Sequence, residues 1–263
     1  MIKFFRKIRQ QLLNEGKTSK YFRYAIGEIL LVMIGILLAL QVNNWNENRK
    51  NASKEQGYLI GLQNDLENQI ERFEVRVPFY TSIIDMSESI LNDFTSKESL
   101  TDVDSINKKL SFIMYTQTYP DYSTTFNDLN TTGNINLISN DSLRSKIISY
   151  YQRSETIKNS IDNNIDNVFY EHIFPPLNAT TINLPENFIE NYSSVNNDLL
   201  IKKLTPYFKN NLKDPAREFD IINAISLRII ITKTNSGITE RNLEYAKYIL
   251  EEIGNELNNI TND

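Results

Sequence analysis

The 263-residue chain has no cysteine, one histidine and a net charge of -5, which excludes disulfide scaffolding, thiol chemistry and multi-histidine sites. Its length suffices for one sizeable core or two small ones. Asparagine is abundant, at 34 residues, a bias that fits an AT-rich coding genome as readily as any function.

The charge is distributed unevenly. Residues 1–23 hold seven basic side chains (Lys3, Arg6, Lys7, Arg9, Lys17, Lys20, Arg23) against Glu15, a net of +6, whereas residues 43–263 sum to -10. Within the first fourteen residues Phe4, Phe5, Ile8, Leu12 and Leu13 recur at helical spacing among the basic residues. This pattern predicts a basic amphipathic segment over 1–23, lying on an anionic inner leaflet.

The run from Tyr24 to Val42 is apolar except for Glu28 and Gln41. Nineteen helical residues cover about 28 Å, close to the thickness of a bilayer core. The run is longer than a signal-peptide core and ends in Gln41-Val42-Asn43-Asn44-Trp45, without a small-x-small cleavage site. We assign a retained transmembrane anchor to 24–44. By the positive-inside bias the N-terminus is expected in the cytoplasm and the remainder outside. A bacterial inner membrane with a periplasmic domain is the most economical location, and the lipid bilayer is the first partner.

Four residues of this region are membrane or assembly candidates. Glu28 lies about one turn inside the cytoplasmic edge, where its carboxylate either reaches back toward Arg23 or meets another chain. Gly35 and Ala39 form a small-xxx-small pair that lets two helices approach closely. Trp45 occupies the outer headgroup level, as Tyr21, Phe22 and Tyr24 do the inner one.

Nothing stops the helix after Trp45, so a helical stalk is expected over 45–77. Leu59, Leu62, Leu66, Gln69 and Phe73 follow alternating three-four spacing up to Pro78. Leu59, Leu62, Leu66 and Phe73 define a coiled-coil-like seam of about two heptads that either pairs with a partner helix or packs on the chain's own domain.

Residues 78–263 form the expected exported helical domain. Helical spacing recurs over 83–94 and 103–113, breaks near Thr118-Tyr119-Pro120, and leaves a short element at Thr124–Leu129 and a turn at Gly133-Asn134. Asn140 or Asp141 caps the next helix, which continues through Phe169. Pro175, Pro176 and Pro185 mark 175–197 as irregular. Asp214-Pro215 starts a helix, and Gly237 suggests a turn before a last apolar stretch from Leu243 to Leu257. The fold expected is all-α: one transmembrane helix continuing into an elongated exported bundle.

No phosphate-binding, zinc-protease, nucleophile-elbow or calcium-loop pattern is present. His172, before Ile173-Phe174-Pro175-Pro176, reads as a helix-end partner for free carbonyls. Asp162 with Asp166, and Glu251 and Glu252 near Glu256, sit at spacings expected of solvated helical faces. No catalytic residue, metal site or cofactor is assigned. The acidic exterior argues against nucleic acid as a partner.

The opening 50 residues resemble the N-terminal signature of a family of membrane proteins from Bacteroidota, domain-of-unknown-function family 6090. The likeness lies in Ile2 to Arg9, Tyr24-Ala25-Ile26-Gly27-Glu28, and Gly35-Ile36 running into Gln41 to Glu47. A weaker match is Thr132 to Ile138 with Leu143-Arg144, Tyr150 and Tyr151. The resemblance implies a flavobacterial-type envelope protein in which Glu28 belongs to the anchor pattern. It brings no activity or catalytic residue.

The expectation is therefore a non-enzymatic scaffold or partner-binding protein of the envelope, working as a homodimer or with another envelope protein. The alternatives are a periplasmic ligand sensor acting through a separate cytoplasmic transducer, and an enzyme with an unrecognised carboxylate site.

Overall fold

A computed structural model of the chain describes residues 18–97, 99–184 and 197–262, and among them every regular element is helical. Residues 1–17 of the expected amphipathic segment over 1–23, and residues 185–196 of the 175–197 stretch, lie outside the described residues, as do the side chains of Tyr21 and Tyr24. The fold class is all-α, as the spacing predicts.

Helix α1 runs from Thr18 to Lys97 without interruption. After a 3-10 turn at Leu100–Asp102 come α2 (Ile106–Ile113) and α3 (Thr124–Thr131), then a second 3-10 turn at Asn134–Leu137. Helix α4 (Asp141–Asn163) passes into a π-helical segment, Asn164–Ile173, and then into α5 (Phe174–Thr180). Helices α6 (Asn197–Lys213) and α7 (Pro215–Asn262) complete the chain. Two compact units divide it, Met1–Gly57 and Tyr58–Asp263. In the first, apolar side chains from Ile26 to Val42 are exposed, and this is the one helix among the described residues long and apolar enough to cross a membrane.

Three helices of the second unit carry heptad seams. On α1 the seam positions, all buried, are Leu59, Leu62, Leu66, Gln69, Phe73, Tyr80, Ile83, Ser87 and Ile90. On α4 they are Leu143, Ile147, Tyr150, Ser154, Ile157 and Ile161. On α7 they run Ile221, Ile225, Arg228, Thr232, Asn235, Thr239, Asn242, Ala246, Ile249 and Ile253, a strict four-three alternation. Such spacing keeps one face of each helix turned inward over many turns.

Polar contacts fix the directions. Glu74–Lys247 at 2.9 Å and Glu88–Lys233 at 2.7 Å run in opposite sequence order, so α1 and α7 are antiparallel. Lys146–Glu252 at 2.6 Å and Asn164–Asn235 at 2.8 Å show the same of α7 and of α4 with the π segment that extends it. The ion pairs are half-exposed and each contributes at most about 1 kcal/mol. The apolar clusters at the two ends carry more. One gathers Leu59, Leu62, Leu66, Leu143, Ile147, Ala246, Ile249 and Ile253, and the other Ile90, Leu110, Ile113, Phe169, Ile173, Leu212, Ile221 and Ile225.

Several expected signals act as read. The Asn140 side chain accepts from the Leu143 amide at 3.1 Å, and Asp214 accepts from Ala216 at 3.0 Å with Pro215 at the first helical position. Gly133 turns the chain at φ +70°.

Other expectations are corrected. Pro78 does not end the helix but sits inside α1, because the buried seam continues from Phe73 to Tyr80 and Ile83 and holds the helix across the lost N–H. Gly237 makes no turn either, and α7 passes straight through it. The polar stretch around Gly237 looks like a loop in sequence only because its inward-facing residues are polar. Within 175–197, residues through Thr180 are helical, since Pro175 and Pro176 fall in the first turn of α5, where proline lacks no needed donor. His172 stands in the π segment, which leads directly into α5, so it caps no helix end.

The π segment follows from the sequence. Ile161, Ile165, Phe169, Ile173 and Leu177 are all buried at a strict spacing of four. In an α-helix each such step overshoots a full turn by about 40°. Widening the helix to i→i+5 bonding removes that drift and keeps the stripe inward.

Candidate functional site

The polar middle of the seams is where the fold departs from an ordinary core. Gln69 of α1, Ser154 of α4 and Asn242 of α7 meet at one level, joined by Tyr119 from the segment between α2 and α3. The Asn242 amide donates to the Tyr119 hydroxyl at 2.8 Å and to the Ser154 hydroxyl at 2.9 Å. The Gln69 amide donates to the Tyr119 hydroxyl at 3.2 Å and to the Pro120 carbonyl at 3.0 Å. Burial pushes the Tyr119 phenol up to about 12.

This level opens to the surface through a cleft of about 270 Å³ between α1, α4 and the segment leading into α3. Gln69 and Ser154 belong to its wall, together with Asp121, Ser123, Phe126, Asn127, Tyr151, Glu155, Lys158 and Asn159. Phe126 and Tyr151 stack at 4.4 Å between ring centres. Asp121 is braced by the Ser123 hydroxyl at 2.7 Å and by Lys158 at 3.1 Å. Tyr151 is 4% exposed, and its hydroxyl has no hydrogen-bond partner. Burial raises its pKa, with Asp65 and Asp121 adding to the effect.

Asp65 and Gly61 position this wall. The Asp65 carboxylate accepts from the Thr125 amide at 2.7 Å, at the start of α3. A Cβ on Gly61 would stand 2.8 Å from Thr125 Cγ2, so only glycine admits α3 this closely.

Further along α7, Arg228 is 4% exposed. One guanidinium nitrogen donates to the Tyr115 carbonyl at 2.5 Å, the group stacks 4.7 Å from the centre of Phe169, and its Nε is unpaired. Among the described residues no carboxylate pairs with it. Burial lowers its pKa to about 10. The Tyr80, Thr232 and Thr239 hydroxyls are likewise buried without partners.

The residues expected from sequence lie elsewhere. Gly35 and Ala39 are exposed on the apolar part of α1, and Gly35 has nothing within 4 Å of its Cβ position. Glu28 shares a shallow face with Ala25, Ile29, Val32, Met33, Ile36 and Leu37. Trp45 is exposed, with Arg49 stacked 5.6 Å from its ring. Of the two readings of the seam, the structure takes the second: Leu59, Leu62, Leu66 and Phe73 are fully buried against the chain's own helices. Glu252 and Glu256 are engaged by Lys146 and Asn140, and no group of metal-binding side chains occurs among the described residues.

One family matches the chain, over residues 28–231, described as "Family of unknown function (DUF6090)". The chain belongs to this family. The DUF6090 match takes in Glu28, Gly35, Ala39, Trp45, every residue of the cleft wall, and Arg228, and stops inside α7 before Asn242. No curated protein and no solved structure matches the chain. This DUF6090 protein is thus membrane-associated, and its relatives supply no chemistry. Sequence reading missed the polar level because Gln69, Ser154 and Asn242 are far apart, and only Gln69 stood in a recognised seam while Ser154 and Asn242 look like solvated helix. The signal was present in the unbroken four-three spacing from Ile221 to Ile253.

Proposed function

We propose that this protein is a non-enzymatic, single-pass envelope protein whose exported helical domain binds a small polar ligand and passes the signal to a separate partner. The observation that carries this reading is the cleft: a concave polar surface with aromatic side chains, whose deep wall is part of the hydrogen-bonded level joining α1, α4 and α7. A ligand there touches the α1 and α4 seams directly and reaches α7 through the bond between Ser154 and Asn242. An open apolar face along Leu59 to Phe73 would have favoured the scaffold reading, and that face is buried against the chain's own helices. The charge asymmetry between residues 1–23 and 43–263 supports a cytoplasmic N-terminus and a periplasmic domain in the inner membrane.

The test is a thermal-stability screen of the full chain in detergent against small polar metabolites, beside an Asn159→Trp variant that fills the cleft mouth. Compounds that raise the melting temperature of the parent and not of the variant support the proposal. If every active compound shifts both proteins equally, the cleft is not a binding site.

A further inference from the structure

The electrostatics and unused hydrogen-bonding capacity of the cleft define what it accepts. Among the described residues of the wall the one cation, Lys158, is held by Asp121 at 3.1 Å and lies within the field of Asp162 and Glu155 as well. The Lys158–Asp121 pair cancels, which leaves Glu155 in the wall as uncompensated negative charge. Asp65 adds to the negative field felt by the Tyr151 hydroxyl.

Gln69, Asn127 and Ser123 in the wall each have a donor already engaged. The Gln69 amide serves Tyr119 and Pro120, the Asn127 amide serves the Ser123 hydroxyl at 3.1 Å, and the Ser123 hydroxyl serves Asp121. Oxygen acceptors remain: the Glu155 carboxylate and the side-chain carbonyls of Gln69 and Asn127. Behind Ser154 the Asn242 carbonyl is buried without a partner, and in the wall so is the Tyr151 hydroxyl. A wall that is acceptor-rich and net negative, beside a stacked aromatic pair, suits a ligand that brings N–H donors and positive charge. An anion meets repulsion there, and a neutral ligand leaves Glu155 uncompensated.

We propose that the cleft is a binding site for a small primary-amine cation, with Glu155 and the Tyr151 hydroxyl as its principal contacts. The inference rests on the ligand-binding reading above and adds the chemical class.

The probe is putrescine, titrated calorimetrically into the full chain in detergent at constant ionic strength. Choline, which carries charge but no N–H donor, is the control. Saturable putrescine binding is expected, weakened roughly tenfold or more by Glu155→Gln, the loss that follows when a charge-assisted hydrogen bond is removed. Glu155 is exposed, so this variant folds. Tyr151→Phe, which keeps the stacked ring and forfeits no internal hydrogen bond, is expected to weaken binding as well. Equal binding of choline and putrescine, or an unchanged affinity in Glu155→Gln, overturns the proposal. Saturable binding of galactose that Asn159→Trp abolishes, without any putrescine binding, overturns the amine class and leaves the ligand-binding reading standing. Neither probe binding, together with a screen that yields no cleft-dependent compound, overturns both.

Discussion

Asn242 donates its side-chain amide to the hydroxyl of Tyr119, 2.8 Å away and 123 positions earlier in the chain. Both residues are buried, and the bond ties the middle of α7 to the segment that enters the cleft wall. Truncating Asn242 leaves two buried hydroxyls, those of Tyr119 and Ser154, short of a donor. Asn242→Ala is therefore expected to destabilise the fold by about 2–3 kcal/mol, the range for an orphaned buried polar group plus a small void. Chemical denaturation read by circular dichroism checks this. A loss below about 0.5 kcal/mol would show that the level is solvated rather than locked.

Gly61 allows α3 to approach α1. Its added Cβ would sit 2.8 Å from Thr125 Cγ2 and 2.9 Å from Oγ1. Thr125 is fixed in turn by the bond from its amide to Asp65, so it does not swing away without cost. Gly61→Ala is expected to destabilise by about 1–3 kcal/mol despite alanine's better helix propensity. Pairing it with Thr125→Ala should restore most of the loss in a double-mutant cycle.

The parts of this fold that were legible in the sequence share one property, a local cause. Asn140 and Asp214-Pro215 start helices through atoms within three residues of themselves. The apolar run after Tyr24 declares its solvent by composition alone. Pro78 and Gly237 were misread because their local cost, about 3 kcal/mol for proline and 1 for glycine, is offset by burial of residues a turn or more away. The seam of Leu59, Leu62, Leu66 and Phe73 was legible as a seam but not as to its partners, which lie 46 to 194 positions further on. The cleft was illegible because its wall combines α1, α4 and an intervening segment, a juxtaposition no single periodicity encodes.

Pro78 itself is open to improvement. It is exposed, and within α1 it deprives the Glu74 carbonyl of an N–H donor. Pro78→Ala is expected to raise stability by about 1–3 kcal/mol, visible as a higher melting temperature. A fall instead would mean that the backbone Pro78 imposes is required for Phe73 and Tyr80 to reach their buried places.

Alkaline pH acts on buried tyrosines and on Arg228 in opposite directions. The Tyr119 phenol has a folded pKa of about 12 against about 10 in an unfolded chain, so it remains protonated after the unfolded form ionises. The folded state then binds more protons, and stability falls as the pH rises between those values. Tyr80, Tyr150 and Tyr151 are raised by burial in the same sense. Arg228, lowered to about 10 by burial, contributes stability that rises over the same window. Four phenols oppose one guanidinium, so net stability is expected to drop above about pH 10. Tyrosinate absorbance recorded with helical circular dichroism should show the late-titrating phenols ionising together with unfolding.

Arg228 offers the sharpest test of what its buried charge is for. Removing an arginine from a buried ion pair usually costs about 3–5 kcal/mol, because a carboxylate is left behind. Here no carboxylate among the described residues pairs with it, and its one direct hydrogen bond among them runs to the Tyr115 carbonyl. Replacing it with methionine keeps the volume and the contact with Phe169 while removing the desolvation cost of an unpaired cation. Arg228→Met is accordingly expected to leave stability unchanged or to raise it by about 1–3 kcal/mol. Arg228→Ala, which adds a void, should lower it by about 2–4 kcal/mol. Equilibrium denaturation of both variants separates charge from volume. If methionine costs as much as alanine, the guanidinium supplies stabilisation that its contacts with Tyr115 and Phe169 do not account for, and the charge is compensated within the fold.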